Sequence, residues 1–202
     1  MIENKKKKCS WCGNDPLLIK YHDEEWGNIN HDDKTHYANL IMEAMQCGLS
    51  WRTVLTKRSI IRKCFANFNY DEVAKFNEDN VNVILETEGM IKSKNKIKAI
   101  IDNTKVFNQI RKDFGSFDNY IWSFTKGKVL LFEDNTITQC KTSEEISKDL
   151  KKRGCKYIGP VVIFSHMQAM GLVQAHDHQC HKYKEFIQSS LKVNLTIIPK
   201  SS

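Results

Sequence analysis

The stretch "LETEGMIKSKNKIKAI", residues 85–100, carries the clearest change of pattern in the chain. It predicts the end of one helix, a turn at Gly89 and the start of a second helix at Ser93. Backbone N–H groups at such a turn can hold a phosphate, and Lys94 and Lys96 add positive charge. The same residues also fit a plain corner between two helices with a solvated basic face, so both interpretations stay open.

Helical periodicity dominates the chain on both sides of this stretch. Apolar residues recur at the i, i+3, i+4 spacing of an amphipathic helix in most segments. The predicted helices span residues 37–51, 59–65, 71–76, 78–85, 94–110, 142–154 and 160–172. Residues 128–132 look strand-like, but they are short enough to be merely extended. We therefore expect an all-α fold.

The chain contains no internal repeat, linker or change of composition that would divide it into several domains. We expect a basic flexible arm at residues 1–8, because residues 5–8 are all lysine. A single domain at residues 9–183 and a C-terminal tail at residues 184–202 complete the predicted organisation.

The composition indicates which class of partner and which cellular compartment to expect. The 202 residues include 31 Lys and Arg against 24 Asp and Glu, a net charge of +7 that favours polyanionic partners. No apolar run approaches the roughly 20 residues of a membrane span, and the start lacks a secretory signal. Seven cysteines, an odd number, favour a reducing cytoplasm with metal-binding thiols over a disulfide framework.

Thiol and imidazole groups that suit a metal ion occur near both ends of the chain. The stretch "AHDHQCHKY", residues 175–183, contains His176 and Cys180 four residues apart. Cys9 and Cys12 form a C-x-x-C pair, and His22 follows. Zinc takes four such ligands in a closed structural site. Chance spacing in a cysteine-rich chain explains the same residues, and the spacing alone does not decide between the two.

A carboxylate and several aromatic residues form a second candidate site. Residues 15–27 include Tyr21 and Trp26, and Glu43 precedes Trp51 on the next predicted helix. A carboxylate beside aromatic faces suits an aromatic cation. Glu43 lies at the border of the buried face, where a solitary Glu is usually a solvated surface residue, and the aromatics also fit an ordinary core.

Several motifs, taken in order, resemble the bacterial 3-methyladenine DNA glycosylase I family. They are CSW, DPLLIKYHDEEWG, the E-x-x-Q-x-G-L-S-W of residues 43–51, GMIKSKNKIKAI, IWSF, LKKRG and the S-x-M-Q-A-x-G-L-V of residues 165–173. The resemblance covers about residues 9–183. Departures from the family pattern include His166, a polar residue in a predicted buried helix that needs a hydrogen-bond partner.

The resemblance implies a fold, an activity and a set of site residues. The implied fold is the helix-hairpin-helix DNA glycosylase fold, with a zinc clamp that joins the N- and C-terminal segments. The implied structural zinc ligands are Cys9, His22, His176 and Cys180. The implied base-binding residues are Trp11, Tyr21, Glu43 and Trp51, with Trp26 as support and Glu43 as the catalytic residue. The implied DNA-binding residues are Leu49 and the hairpin residues Gly89, Ser93, Lys94 and Lys96.

The implied activity is DNA repair by excision of N3-methyladenine from alkylated double-stranded DNA. We expect a monomeric, monofunctional enzyme that flips the damaged nucleotide out, hydrolyses the N-glycosidic bond and leaves an abasic site without a lyase step. The activating aspartate of many superfamily relatives is expected to be absent, so Asp118 is assigned no catalytic role. Two other classes of function remain as alternatives: a zinc-stabilised nucleic-acid-binding module without catalysis, and a catalytic metallohydrolase.

Overall fold

A computed structural model of the protein describes residues 6–133, 136–189 and 194–199. Short 3-10 turns occupy Ser10–Cys12 and Ala66–Phe68. The α-helices are α1 (Pro16–Glu24), α2 (Asp33–Gln46), α3 (Trp51–Thr56), α4 (Arg58–Cys64), α5 (Tyr70–Val73), α6 (Glu78–Glu86), α7 (Lys94–Phe114), α8 (Phe117–Ser123), α9 (Lys141–Lys152), α10 (Pro160–Ala169) and α11 (His181–Ser189). The strands are β1 (Val129–Phe132), β2 (Val173–Gln174) and β3 (Leu195–Ile198).

Two helices form the centre of the hydrophobic core. Helix α10 begins with Pro160 in its first turn, where a missing N–H costs nothing, and it buries Ile163, Phe164 and Met167. It packs against α2 and α9, while α2 also packs against α3, α7 and α8. The candidate site residues on α2 are therefore held by a helix that packs against several neighbours.

The expectation of an all-α fold needs one correction, because the mainly helical chain also contains a small parallel sheet. Its strand order is β2-β1-β3, with Leu130 opposite both Val173 and Thr196. The strand-like residues 128–132 do form β1. The two partner strands come from distant parts of the chain, and β2 has only two residues, so neither leaves a periodic pattern that sequence reasoning can detect.

The sheet also changes the description of the C-terminal end. Helix α11 begins at His181, before the predicted start of the tail, and β3 lies within residues 184–202. The backbone N–H of Val129 donates a hydrogen bond to the Asn194 carbonyl at 2.9 Å. The described part of the predicted tail is thus hydrogen-bonded to the body of the protein.

Residues 85–100 form a helix, a turn and a helix at the predicted positions. Helix α6 ends at Glu86, and α7 begins at Lys94. Gly89 has a φ of +78°, a left-handed conformation that glycine adopts without a steric cost. Met90 follows and buries its side chain in the core, which anchors the turn.

The predicted helix at residues 37–51 breaks near Gly48 and Leu49, where the glycine predicts an end or a kink. Helix α2 stops at Gln46, Gly48 has a φ of +79°, and the Ser50 hydroxyl accepts a hydrogen bond from the Thr53 N–H at the start of α3. This break presents Leu49 at the tip of a turn. Among the described residues, no helix is long and apolar enough to span a bilayer.

Candidate functional site

Four buried donor side chains from the two ends of the chain meet at one point. The ligand-type atoms of Cys9, His22, His176 and Cys180 all lie within 4.8 Å of one another. His176 Nδ1 lies 3.4 Å from Cys9 Sγ and 3.2 Å from His22 Nε2, and Cys180 Sγ lies 3.4 Å from His22 Nε2. Tetrahedral zinc with bonds of about 2.0–2.3 Å separates its ligands by about 3.3–3.8 Å. The donor set therefore fits such an ion in both chemistry and spacing.

The two histidines are oriented by partners outside the cluster. His22 Nδ1 lies 2.7 Å from Asp23 Oδ1, which leaves Nε2 directed at the cluster. His176 turns Nδ1 inward and makes a hydrogen bond with the backbone of Trp26. A carboxylate or carbonyl on the outer nitrogen is the usual support of a metal-ligating histidine, because it fixes the tautomer and the ring orientation.

Gly27 allows the close approach of His176. Its φ is +79°, and a Cβ atom built on it would lie only 2.6 Å from His176 Nε2. Any other residue at position 27 would displace the imidazole ring.

The protonation preferences of the cluster also suit metal binding. Burial, followed by the nearby His22 and other cations, lowers the pKa of His176 to about 3, so its imidazole is neutral and able to coordinate. Burial raises the pKa of the Cys9 thiol, so without an ion the thiol keeps its proton. Binding of a metal would release that proton.

The remaining cysteine and histidine candidates of these segments lie beside the cluster. Cys12 is buried next to it, His178 packs on Tyr183 with ring centroids 4.9 Å apart, and His181 Nδ1 lies 3.0 Å from the Lys7 carbonyl oxygen. Asp177 accepts a hydrogen bond from the Ser10 N–H at 2.8 Å. The segments around residues 9 and 177 are thus joined by backbone contacts as well as by the four donors.

Tyr21, the residue before His22 on α1, lines an open cavity on the other side of the cluster. The cavity has a volume of about 1030 Å³, and Trp51, Asn39 and Met42 also line it. The rings of Tyr21 and Trp51 lie 5.4 Å apart at an interplanar angle of 51°. Such a pair offers aromatic faces to a flat ligand.

Trp11 and Trp26 pack around the metal-site histidine. Their ring centroids lie 5.7 and 6.1 Å from that of His22, and Trp11 lies 6.3 Å from Tyr21. Trp11 therefore connects the cluster to Tyr21 in the cavity wall, and Trp26 contacts the cluster through His22.

Glu43 is a buried carboxylate without a full set of partners. It is only 3% exposed, and its Oε2 atom has no hydrogen-bond partner among the described residues. Burial raises the pKa of Glu43 to about 8, and its charge raises the pKa of Tyr21 after the larger effect of burial. The interpretation of Glu43 as a solvated surface residue is wrong, because packing against neighbouring elements covers the border of the α2 apolar face.

The Trp51 Nε1 atom is also buried without a hydrogen-bond partner in the part of the chain that the structure describes. A carboxylate acceptor, an indole donor and two aromatic faces are thus concentrated where α1, α2 and α3 meet. Buried polar atoms usually have partners, so these two mark a place where a ligand can complete the hydrogen bonding.

Leu49 and the hairpin residues lie on a neighbouring surface. Leu49 is 39% exposed at the tip of the α2–α3 turn. The Lys96 ammonium donates hydrogen bonds to the carbonyls of Met45 and Cys47, so it supports that turn from α7. Lys96 is therefore already engaged within the protein.

The other hairpin candidates differ in whether they already have partners within the protein. Lys94 forms an ion pair with Glu78 at 2.7 Å, and the Gly89 carbonyl accepts a hydrogen bond from the Lys57 ammonium. Ser93 precedes α7 in an extended conformation and its hydroxyl makes no capping hydrogen bond. Lys57 gave no signal in the sequence, because its contact with the turn joins positions 32 residues apart.

Comparisons with known proteins identify the family of the chain. A family model described as methyladenine glycosylase matches residues 11–183. The chain belongs to the methyladenine glycosylase family. This family member is 38% identical to DNA-3-methyladenine glycosylase 1 of Escherichia coli, over 88% of this chain and 97% of that protein. It is 34% identical to the DNA-3-methyladenine glycosylase of Haemophilus influenzae, over 86% and 96% respectively.

Solved structures give the same result for this methyladenine glycosylase family member. A crystal structure of 3-methyladenine DNA glycosylase I has a TM-score of 0.83 and 37% identity, covering 87% of this chain and 98% of that one. A variant of 3-methyladenine DNA glycosylase I in complex with 3-methyladenine has a TM-score of 0.82 and 31% identity, covering 86% and 96%. The sequence prediction of an enzyme of the DNA glycosylase class is confirmed.

Proposed function

We propose that this enzyme excises N3-methyladenine from alkylated double-stranded DNA, by hydrolysis of the N-glycosidic bond, and leaves an abasic site. The observation that carries the proposal is the buried, unpartnered carboxylate of Glu43 beside the cavity of Tyr21 and Trp51. The similarity to glycosylases that are named for 3-methyladenine supports it independently.

The target nucleotide must leave the base stack before it enters this cavity. Extrusion costs a few kcal/mol, and it costs least for a damaged base, which already favours the alkylated nucleotide. The volume of about 1030 Å³ is ample for one purine. We propose that Leu49, exposed on its turn, enters the duplex at the position that the flipped nucleotide leaves.

Selection of the alkylated base follows from its positive charge. N3-methylation makes the nucleobase in DNA cationic, so the base is already a good leaving group and needs no strong general acid. Tyr21 and Trp51 present aromatic faces to the cation, and Glu43 accepts hydrogen bonds from the adenine edge. The cation also favours the ionised form of Glu43, against the burial that raises the pKa of this carboxyl to about 8.

We propose that Glu43 is the catalytic residue, and that Trp11 and Trp26 support the base pocket from the side of His22. Water then attacks C1′ of the sugar, and no lyase step follows because no lysine is assigned a nucleophilic role. A borohydride-stable adduct between enzyme and DNA would contradict this monofunctional mechanism.

The DNA backbone is held by the hairpin in this proposal. The turn at Gly89 and the first residues of α7, Ser93 and Lys94, contact phosphates as a helix-hairpin-helix unit. Lys96 acts through the Leu49 turn, whose preceding carbonyls its ammonium already contacts. The enzyme works as a monomer in the cytoplasm, where its free thiols and its DNA substrate coexist.

We propose that the ion held by Cys9, His22, His176 and Cys180 is zinc with a structural role. Four protein ligands fill a tetrahedral shell, so the site has no open position for substrate. The cross-link fixes α1, and with it Tyr21, against the body of the enzyme. A metallohydrolase is disfavoured for the same reason, and a binding module without catalysis has no use for the Glu43 carboxylate.

The test is to incubate the purified protein with methylated double-stranded DNA and to separate the released bases by chromatography. Release of 3-methyladenine, with no release from unmethylated DNA, supports the proposal. Protein that binds DNA but releases no base supports the binding-module alternative. If Asp118→Asn abolished excision while Glu43→Gln left it intact, the assignment of Glu43 would be wrong.

A further inference from the structure

A chain of buried polar side chains connects the surface of the protein to the wall of the base cavity. Asp118 Oδ1 lies 3.0 Å from His31 Nδ1 and 3.2 Å from His36 Nε2. His36 Nδ1 lies 3.1 Å from His166 Nε2, and His166 Nδ1 lies 2.7 Å from the Asn39 Oδ1 atom. His36 and His166 are completely buried. This chain supplies the partner that His166 requires, and the excision mechanism makes no use of it.

Asn39 occupies the inner end of the chain, where it reaches the cavity. It is 8% exposed, and it lines the cavity together with Tyr21 and Trp51. It precedes Glu43 by one helical turn, and residues four apart lie on the same face of a helix. Its Oδ1 atom contacts His166, and its amino group has no hydrogen-bond partner among the described residues. That amino group is available to a ligand.

The charge of Asp118 determines which atom donates and which accepts in each hydrogen bond of the chain. Burial acts to raise the pKa of this carboxyl, but hydrogen bonds with His36 and His31 outweigh burial and lower it, so Asp118 is ionised. An ionised carboxylate only accepts hydrogen bonds, so His36 must donate from Nε2. Burial, then the charge of His36, lowers the pKa of His166 far below its usual range, so His166 is a neutral imidazole with one donor and one acceptor.

The protonation state of His36 then determines which end of the Asn39 amide faces the cavity. A neutral His36 accepts at Nδ1, so His166 donates from Nε2 and accepts at Nδ1, and Asn39 must donate its amino group to His166. Its carbonyl oxygen then faces the cavity. A protonated His36 donates at Nδ1, so His166 donates from Nδ1 to the Asn39 oxygen. The amino group then faces the cavity, which is the orientation in the structure. The state with neutral His36 requires a rotation of the amide that exchanges two groups of nearly equal size.

Several charged or titratable groups surround His36. Asp118 on α8 and His166 on α10 contact it directly. Asp32, the N-cap of α2, interacts with its charge, and His31 reaches it through Asp118. Asp33 contacts the backbone N–H of Asp118 at 2.9 Å.

We propose that Asn39 contacts the extruded base and that the histidine chain behind it determines whether Asn39 presents a hydrogen-bond acceptor or a donor. This inference rests on the proposed function. Adenine carries an amino group at ring position 6, which donates, whereas guanine carries a carbonyl oxygen there, which accepts. With His36 neutral, Asn39 therefore favours 3-methyladenine over 3-methylguanine. With His36 protonated, the preference declines or reverses.

The first test observes the chain directly and does not depend on activity. Long-range proton–nitrogen NMR of the labelled protein reports which nitrogen of each ring carries the proton. At about pH 8 we expect Nε2–H and bare Nδ1 on both His36 and His166. At about pH 5.5 we expect two N–H groups on His36 and Nδ1–H on His166. A His166 ring that keeps one tautomer throughout this range would overturn the inference.

The second test measures selectivity. The ratio of 3-methyladenine to 3-methylguanine released from methylated DNA is determined between about pH 8 and about pH 5.5 for wild type, Asn39→Leu and Asp118→Asn. In wild type, we expect the ratio to fall about tenfold, since one buried hydrogen bond changes from matched to mismatched. In Asn39→Leu, which has a similar volume but no amide, the ratio should not depend on pH. Asp118→Asn should move the transition to lower pH, because the carboxylate that favours protonated His36 is gone.

The outcomes separate this inference from the proposed function. Absence of any base release by wild type would contradict the proposed function itself. Release of 3-methyladenine with a ratio that is independent of pH would leave the proposed function standing and overturn the role of Asn39. A pH-dependent ratio that persists in Asn39→Leu would also overturn it, and would assign the effect to another titratable group, such as the nearby Glu43.

Discussion

Two buried polar clusters lie on either side of α1, and consecutive residues of that helix belong to them. His22 directs its ring to Cys9, His176 and Cys180, whose donor atoms converge within 4.8 Å. Tyr21 lines the cavity near Glu43, where the donors and acceptors lack partners. Buried polar atoms are costly unless they are paired. In the proposed function an ion completes the first cluster during folding, whereas the cavity is completed only when a ligand enters.

Whether the polar atoms converge on one another or lie unpartnered beside a cavity thus distinguishes a structural from a functional cluster, whatever the residue types are. Cysteine and histidine look more reactive than glutamate and tryptophan, yet we propose that the closed arrangement of the first cluster serves as a cross-link. In the second cluster a carboxylate oxygen and an indole N–H are buried without partners among the described residues. The two clusters should therefore respond differently to substitution.

The largest effect is expected when the closed cluster loses a ligand. Cys180→Ala leaves three donors around a site for four, and structural zinc contributes on the order of 10 kcal/mol to folding in small zinc domains. We expect loss of bound zinc, a large drop in thermal stability and loss of excision together. Metal content by atomic emission and unfolding by calorimetry measure this.

Cys12→Ala is the matched control, because Cys12 is buried beside the cluster without belonging to the four donors. It should retain one zinc ion per chain. Zinc retained in Cys180→Ala, or lost equally in Cys12→Ala, would contradict the assigned ligand set.

A smaller effect on the same cluster is expected from Gly27→Ala. The added Cβ would lie 2.6 Å from His176 Nε2, so the imidazole must move and its support from the Trp26 backbone is lost. Loss of such outer support typically lowers metal affinity about 10- to 100-fold. Competition with a chelator measures the affinity.

Gly13→Ala separates backbone strain from the clash. Gly13 also has a positive φ, +51°, but a Cβ there meets nothing within 4 Å. It should lose some stability and keep its metal affinity. Equal losses of affinity in the two variants would show that strain, and not contact with His176, explains the need for Gly27.

The open cluster should gain stability when its carboxylate is removed. The pKa of Glu43 is about 8 in the folded protein against 4.5 for the ordinary side chain, so between these values the folded state holds a proton that the unfolded state lacks. The free energy of unfolding therefore falls as pH rises from about 4.5 to about 8. Glu43→Gln should unfold a few degrees above wild type at about pH 8, with a smaller difference at about pH 5. A difference independent of pH would contradict the buried, unpartnered state of Glu43.

The smallest effect is expected at the DNA-binding hairpin. Lys94→Ala removes one proposed phosphate contact, so we expect DNA affinity to weaken a few-fold. The slope of the logarithm of affinity against the logarithm of salt concentration should become shallower by about one. Lys105→Ala is the control on the same helix, since Lys105 also pairs with a carboxylate, Asp102, farther along α7. Fluorescence anisotropy at several salt concentrations should show no change for it. Equal salt slopes for the two variants would argue against the hairpin contact.

The helical part of this architecture follows from local sequence. The predicted helix at residues 94–110 corresponds to α7, Lys94–Phe114, because its apolar spacing is regular and its start at Ser93 is clear. The turn at Gly89 was also predictable, because glycine is a strong local signal. Long-range pairing escaped prediction: β2 and β3 join β1 from distant segments, and two-residue strands have no measurable period.

The candidate site shows the same limit. The residue types of both clusters were evident, but the burial of Glu43 depends on packing against other elements of the fold. The engagement of Lys96 with carbonyls about 50 positions earlier left no local trace. The same holds for Asn39, whose partner His166 comes from α10. Sequence patterns thus identified the residue types of the site. Tertiary packing determined which of their polar atoms have partners within the protein and which do not.

The most direct test of the account compares excision by wild type and Glu43→Gln under single-turnover conditions on methylated double-stranded DNA. We expect the rate constant for release of 3-methyladenine to fall about 10- to 100-fold in Glu43→Gln, the cost of losing a hydrogen bond to a charged group. DNA affinity and zinc content should be unchanged. A variant that releases 3-methyladenine as fast as wild type would contradict the claim that the unpartnered carboxylate is completed by the alkylated base.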